Sequence, residues 1–265
     1  MTTIFKEHRH KLKQIFLLAK NDLIKTYKGA FLGPLWSVVK PLTTLFVYWF
    51  AFDIGLRGSA PISGYPRFQF MLPAFVAWFF ISDAILFGSS SIRSNSQFVN
   101  KMSFPVSTIM TFTLLSKMFV HLGLTVLMYI FLICTGYGPM LSNLQFFYYC
   151  PLMYLFFLAL SWSTAPMSAF SRDFENLVKS ITTPLFWFSS IIYNSYDMSP
   201  DWLRKLMYFN PVNYFVNGYR KSFLTGEGIF TRDWETIIFF AEFAVIIVIG
   251  IFNYKRLRKT LPDVL

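Results

Sequence analysis

Apolar residues in this chain come in blocks of about 20, the length at which a helix crosses a hydrocarbon core of roughly 30 Å. Six blocks are predicted to span: 35–54, 70–90, 107–137, 144–170, 178–196 and 234–254. The third is long enough to tilt or to run beyond the bilayer. The fifth is the weakest, being short and interrupted by Pro184. Ahead of the first block the period changes. From Leu12, the residues Ile15, Phe16, Ala19, Leu23 and Tyr27 recur at i, i+3, i+4 spacing, while Lys13, Asp22, Lys25 and Lys28 fall on other faces. That pattern predicts an amphipathic helix with a basic polar face, lying in the lipid interface.

Residues 197–233 are too many for a simple loop. They carry an apolar, aromatic run over 206–209 and again over 214–216, broken at Asn210-Pro211, where the residue before proline disfavours the helical well. Two short helices re-entering the outer leaflet are expected, since backbone at membrane depth is tolerated when buried in protein or lining a wet cavity. The fold class expected is an all-α polytopic membrane protein: an N-terminal amphipathic interfacial helix, six transmembrane helices, and outer re-entrant helices between the fifth and sixth spans. The chain divides into a cytoplasmic tail with interfacial helix (1–34), a six-span domain (35–254) and a second tail (255–265). Within the six-span domain lie a cytoplasmic loop at 91–106 and the re-entrant segment at 197–233. No internal repeat supports an inverted-repeat transporter.

Composition removes the main competitors. Of 265 residues, 55% are apolar, 20% aromatic and 14% charged, against about a quarter charged in a soluble domain. With a mean hydropathy of +0.48, a water-soluble enzyme and a disordered chain are excluded. The formal charge of +11 then reads as contact with anionic lipid rather than nucleic acid. Lys and Arg also set the orientation. With the N-terminus inside, inner segments hold 14 and outer segments 7, so both termini are expected in the cytoplasm. The first 28 residues carry seven Lys and Arg and no clean small-residue cleavage site, so no cleavable signal is expected. Cys134 and Cys150 make no disulfide framework and read as small buried side chains.

Several chemistries find no residues to carry them. Gly-Lys never occurs, so there is no phosphate-cradling GxxxxGK[ST] loop. Three histidines lack ligand spacing, so no metal is expected. The closest carboxylate pairs, Asp173/Glu175 and Asp233/Glu235, lie at span edges and form no acid/base dyad. No catalytic residue is expected. What the chain has instead is 33 Phe, 14 Tyr and 7 Trp. Most such rings face lipid or other helices; those with a polar handle, among them Trp36, Tyr48, Trp49, Trp187 and Tyr193, are candidates for a path past which sugar rings slide. Asp83 and Lys117 are charges inside spans, where a partner is expected. At 1.5 Å per residue they lie about 11 Å and 14 Å from the cytoplasmic ends of neighbouring spans, which predicts an ion pair or water-bridged contact; the competing reading puts Asp83 in a wet path with Lys117 snorkelling.

Four segments resemble one family. Residues 27–36, Tyr-Lys-Gly-Ala-Phe-Leu-Gly-Pro-Leu-Trp, followed by Lys40-Pro41-Leu42, look like the junction of interfacial helix and first span in ABC-2 type permeases. The closest of these export O-antigen, capsular polysaccharide and wall teichoic acid. Residues 98–105, Phe-Val-Asn-Lys-Met-Ser-Phe-Pro, resemble the family's coupling loop. Ser171-Arg172-Asp173 resembles its FRD turn, with Ser171 where Phe is common. Tyr208-Phe209-Asn210-Pro211 through Gly218-Tyr219-Arg220 resembles its outer re-entrant region.

The resemblance implies a homodimer bound to two copies of a separate cytoplasmic ATPase, which holds ATP and Mg; this chain needs no cofactor of its own. It implies a bacterial cytoplasmic membrane protein that moves an undecaprenyl diphosphate-linked glycopolymer from the inner to the outer face. Coupling to the ATPase then falls to Phe98, Lys101, Met102, Phe104, Arg172 and Asp173. Lys20, Lys25 and Lys28 meet the carrier diphosphate or anionic lipid, and Tyr208, Asn210, Pro211 and Phe215 form an outer gate. An ABC-2 exporter of drugs or peptides, or a polytopic lipid-linked glycosyltransferase or acyltransferase, are the alternatives.

Overall fold

The computed structural model of the protein describes residues 4, 7–9, 11–55, 60–100, 104–258, 260 and 261. Ten α-helices run through these residues: α1 (Leu12–Thr26), α2 (Trp36–Trp49), α3 (Arg67–Ser94), α4 (Ser96–Asn100), α5 (Val106–Cys134), α6 (Phe146–Phe170), α7 (Arg172–Phe188), α8 (Asp201–Leu206), α9 (Pro211–Arg220) and α10 (Asp233–Leu257). No strand forms among the described residues.

Five helical stretches are long and apolar enough to cross a membrane: Gly33–Gly55, Arg67–Ser94, Val106–Cys134, Leu141–Phe170 and Asp233–Leu257. They fall on five of the six expected spans with small shifts. The third ends at Cys134 rather than Tyr137, because Gly136 takes a φ of 93° that turns the chain out of the helix. The remaining expected span, 178–196, differs more. Its helix α7 has 17 residues, about 26 Å at 1.5 Å per residue. It starts at Arg172 on an N-cap in which the Ser171 hydroxyl accepts from Phe174 N–H at 3.2 Å, and it ends at Phe188. Arg172, Asp173, Glu175 and Lys179 occupy its first half, so length and charge together leave it short of a full apolar crossing.

Helix α3 is the hub. Every residue from Phe70 to Trp78 is buried, because α3 packs against α5, α6, α7 and α9 at once. Helix α10 lies along α6, and α1 lies along the start of α5. On α1, Ile15 and Ala19 are buried against Ile109 and Phe112 of α5, while Lys13, Lys20 and Lys25 stay exposed. The helix thus forms where its spacing predicts, with Ile15 and Ala19 of its apolar stripe on protein and Leu12 and Phe16 left exposed. Helix α2 is the least covered crossing segment: Leu42, Phe46, Val47 and Trp49 are exposed on it.

Glu7 and His8 meet the end of α10 and the start of α5 at one end of the bundle. The Glu7 carboxylate accepts from Arg258 at 2.6 Å, from Tyr254 Oη at 2.7 Å and from the Ser107 hydroxyl. His8 bonds Thr111 at 2.7 Å. Below, this is the proximal end; the other is the distal end.

Candidate functional site

At the proximal half, α1, α2, α3 and α5 enclose a cavity of about 560 Å³. Its wall carries Lys40, Asp83 and Lys117, together with Trp36, Tyr27 and His121. Each charge arrives by helix geometry: Lys40 lies one turn into α2, Asp83 three turns from the end of α3, and Lys117 three turns into α5. Asp83 and Lys117 share this wall, as their matched depths predict, but they form no direct ion pair. The Lys117 ammonium stands 3.7 Å from the centre of the Phe87 ring, and Lys40 joins it in acting on the Asp83 carboxyl. Lys20, Lys25 and Lys28 are exposed and do not line the cavity, although Thr26, Tyr27 and Ala30 beside them do.

The remaining aromatic candidates do not share one lining. Tyr48 and Trp187 face each other across a groove of about 290 Å³ between α2, α3 and α7, where the Tyr48 ring packs 4.6 Å from Phe75 and 5.9 Å from Phe186. Trp36 belongs to the charged cavity, and Trp49 to an apolar cavity of about 440 Å³ further along α2. Tyr193 donates its hydroxyl to the Trp187 carbonyl at 3.3 Å.

At the proximal surface, Phe98 and Phe104 are half-buried. Their rings lie 5.3 Å apart and Phe98 is 5.8 Å from Phe112, so both complete the contact between α1 and α5. Lys11 stands 5.1 Å over the Phe104 ring. Lys101 and Met102 lie outside the described residues. Arg172 and Asp173 are exposed at the start of α7. Beside them Glu175 pairs with Lys179 at 2.7 Å and Arg93 at 3.4 Å. Arg93 also donates to the carbonyls of Ser168 and Ala169, which ties the ends of α3 and α6 to the start of α7. The sequence reading passed over this knot because no local spacing links Arg93 to Glu175.

The distal end holds a polar network within an aromatic module. Asn210 caps α9, accepting from Val212 N–H at 3.0 Å, with Pro211 at its first position. From Val212 to Arg220 every residue is buried. Phe215, expected at a gate, is 0% exposed and sits among Phe156, Phe157 and Phe239; Tyr208 is half-buried. Arg220, counted among the charges of the outer segment, is 3% exposed. Its guanidinium donates to the Phe70 carbonyl at 3.0 Å, the Asn217 side-chain carbonyl at 3.0 Å and the Ile191 carbonyl at 2.7 Å.

Asn213 and Asn217 extend that network to Ser190, Ser195 and Met207. A signal for it existed: Asn210, Asn213, Asn217 and Arg220 recur at helical spacing and form one polar stripe. His121, one of the three histidines without ligand spacing, is buried and bonds Tyr219 Oη at 2.6 Å and the Val76 carbonyl at 3.2 Å. Among the described residues no group of His, Cys, Asp and Glu could hold a metal. Cys134 is exposed, Cys150 is buried, and both are free thiols.

A family model described as ABC-2 type transporter matches residues 13–224. An O-antigen export system permease protein RfbA from Klebsiella pneumoniae is 24% identical over 254 residues, covering 95% of this chain and 94% of the relative. A protein of the same description from Myxococcus xanthus is 24% identical over 207 residues, 78% of each chain.

Proposed function

Because the chain belongs to the ABC-2 type transporter family, we propose that it is the membrane subunit of an exporter of lipid-linked cell-surface glycopolymer. The observation that carries the reading is similarity to O-antigen export permeases over 78–95% of the chain. The cargo in this reading is a wall teichoic acid, O-antigen or capsular polysaccharide on undecaprenyl diphosphate. It moves from the inner to the outer face of the bacterial cytoplasmic membrane. Two copies of this chain assemble with two copies of a cytoplasmic ATPase that binds ATP and Mg. Helix α7 serves as a short fifth span, α8 and α9 as the re-entrant module, and the distal end as the outer face. Lys20, Lys25 and Lys28 attract the carrier diphosphate, and the Tyr48–Trp187 groove offers flat faces to sugar rings.

The burial of Arg220 and Lys221 supports this orientation, because two of the charges that weakened the inside bias never reach the outer surface. Two outcomes test the arrangement. In intact cells, a membrane-impermeant thiol reagent should label Cys134 at the end of α5 and spare Cys150; labelling of Cys134 only after the cells are opened would reverse the orientation. In the reconstituted complex, Phe104→Ala should lower export about tenfold at nearly unchanged ATP hydrolysis. A parallel loss of both activities would mean the ring only holds α1 in place. For the function itself, removing the chain should trap lipid-linked polymer on the cytoplasmic face. Undiminished polymer at the cell surface would end the proposal.

A further inference from the structure

The charged cavity and the apolar one adjoin along α2, α3 and α5, and Leu124 lines both. Along each of the three helices the order is the same. On α2, Lys40 precedes Leu45 and Trp49; on α5, Lys117 precedes Leu127 and Phe131; on α3, which runs the other way, Asp83 follows Val76 and Leu72. Together the two cavities form a track that is charged at its proximal end and mainly apolar beyond it, with Asp53 and Gln69 on the distal wall. From Lys117 to Phe131 it covers about 21 Å at 1.5 Å per residue, more than one leaflet of a roughly 30 Å core. We propose that this groove holds one membrane phospholipid with a monoanionic phosphodiester headgroup, its phosphate between Lys40 and Lys117 and an acyl chain in the apolar cavity.

Three observations carry the assignment. First, Lys117 is 6% exposed, yet among the described residues its ammonium makes no direct hydrogen bond or ion pair: it rests on the Phe87 ring face, and Asp83 shares the wall without pairing with it. A buried lysine at membrane depth calls for an anion, and lysine is a compact point charge suited to phosphate. Second, Lys40, Lys117 and Asp83 leave one net positive charge on the wall. A single phosphodiester balances it, while Asp83 opposes a second negative charge, which disfavours a diphosphate. Third, α2 is the least buried crossing segment. A lipid wedged between it and α3 and α5 supplies the contact that protein leaves out.

The test is native mass spectrometry of the full chain released from mild detergent, with phosphatidylglycerol or phosphatidylcholine added. One phosphatidylglycerol per chain should be retained, and phosphatidylcholine should be lost. The Lys40→Met/Lys117→Met double variant should bind phosphatidylglycerol at least about tenfold more weakly. Asp83→Asn should hold it at least as tightly as the unaltered chain, and Leu124→Trp, which closes the junction, should release it. Equal retention of the two lipids by the unaltered chain, undiminished binding by the double variant, or retention of an isoprenoid diphosphate in place of phospholipid would each overturn the assignment. The comparison on the unaltered chain decides even if a variant fails to fold.

Discussion

Arg220→Met should destabilise the folded chain by about 3 kcal/mol or more, the largest effect expected of a single polar position. Methionine keeps the length of the stem but loses the guanidinium, whose carbon lies 3.9 Å from the centre of the Phe70 ring. What it removes is the donor set. The Phe70 and Ile191 carbonyls and the Asn217 amide oxygen are then left in a dry interior, at about 1–3 kcal/mol for each acceptor without a partner. Release of a desolvated cation offsets part of that cost. Arg220→Lys should not rescue, because an ammonium cannot span three acceptors that a planar fork reaches together. Reversible unfolding in mixed detergent micelles reads the result; a midpoint for Arg220→Met equal to that of the unaltered chain would show that the network contributes nothing net.

Gly250→Leu should cost at least about 3 kcal/mol, at the upper end for overpacking. A Cβ built on Gly250 meets the Ala159 carbonyl oxygen at 2.5 Å and the Trp162 Cβ at 3.4 Å. The first of these is backbone, so no rotamer change relieves it and α10 must move away from α6. Close approach at a small residue is what holds helices together where lipid offers no hydrophobic drive. The same displacement would pull Asn253 from Ser163, a bond of 2.6 Å. Unfolding midpoints and protease sensitivity of the loop before α10 should shift together. An unshifted midpoint would mean that α10 is held elsewhere.

The crossing helices were legible because 20-residue apolar runs have few alternatives in a bilayer, and the boundaries moved by only a few residues where Gly136 or Ser171 set them. Helix α7 was overestimated because hydropathy over 178–196 ignores the charged turn from which the helix actually starts. Hydropathy also reports composition and not neighbours. It placed the 206–216 run at membrane depth but could not tell a gate from a core, and Phe215 went into the core. Depth arithmetic brought Asp83 and Lys117 to one level because helix rise is fixed. It could not supply helix rotation, which decides that Lys117 turns to Phe87 and that Lys40 joins the same wall. Phe98 and Phe104 were read as free anchors. They are partly occupied because the apolar face of α1 needed a cover and these rings are nearest to it.

The burial of α9 has a consequence for how the protein is made. Ribosomes deliver α3 and the turn after α7 before α9, so the acceptors for Arg220 are already in the membrane when it emerges. The aromatic lid is not: Tyr214 stacks on Phe239 at 4.2 Å, and Phe239 belongs to α10, which is made after α9. Until then Tyr214 and Phe215 have the α6 rings of Tyr149, Phe156 and Phe157 on one side but lack Phe239 on the other. Seating of this module is therefore complete only once α10 is in place. A chain stalled before residue 233 would present those rings to quality-control proteases even with its first four crossing helices correctly inserted.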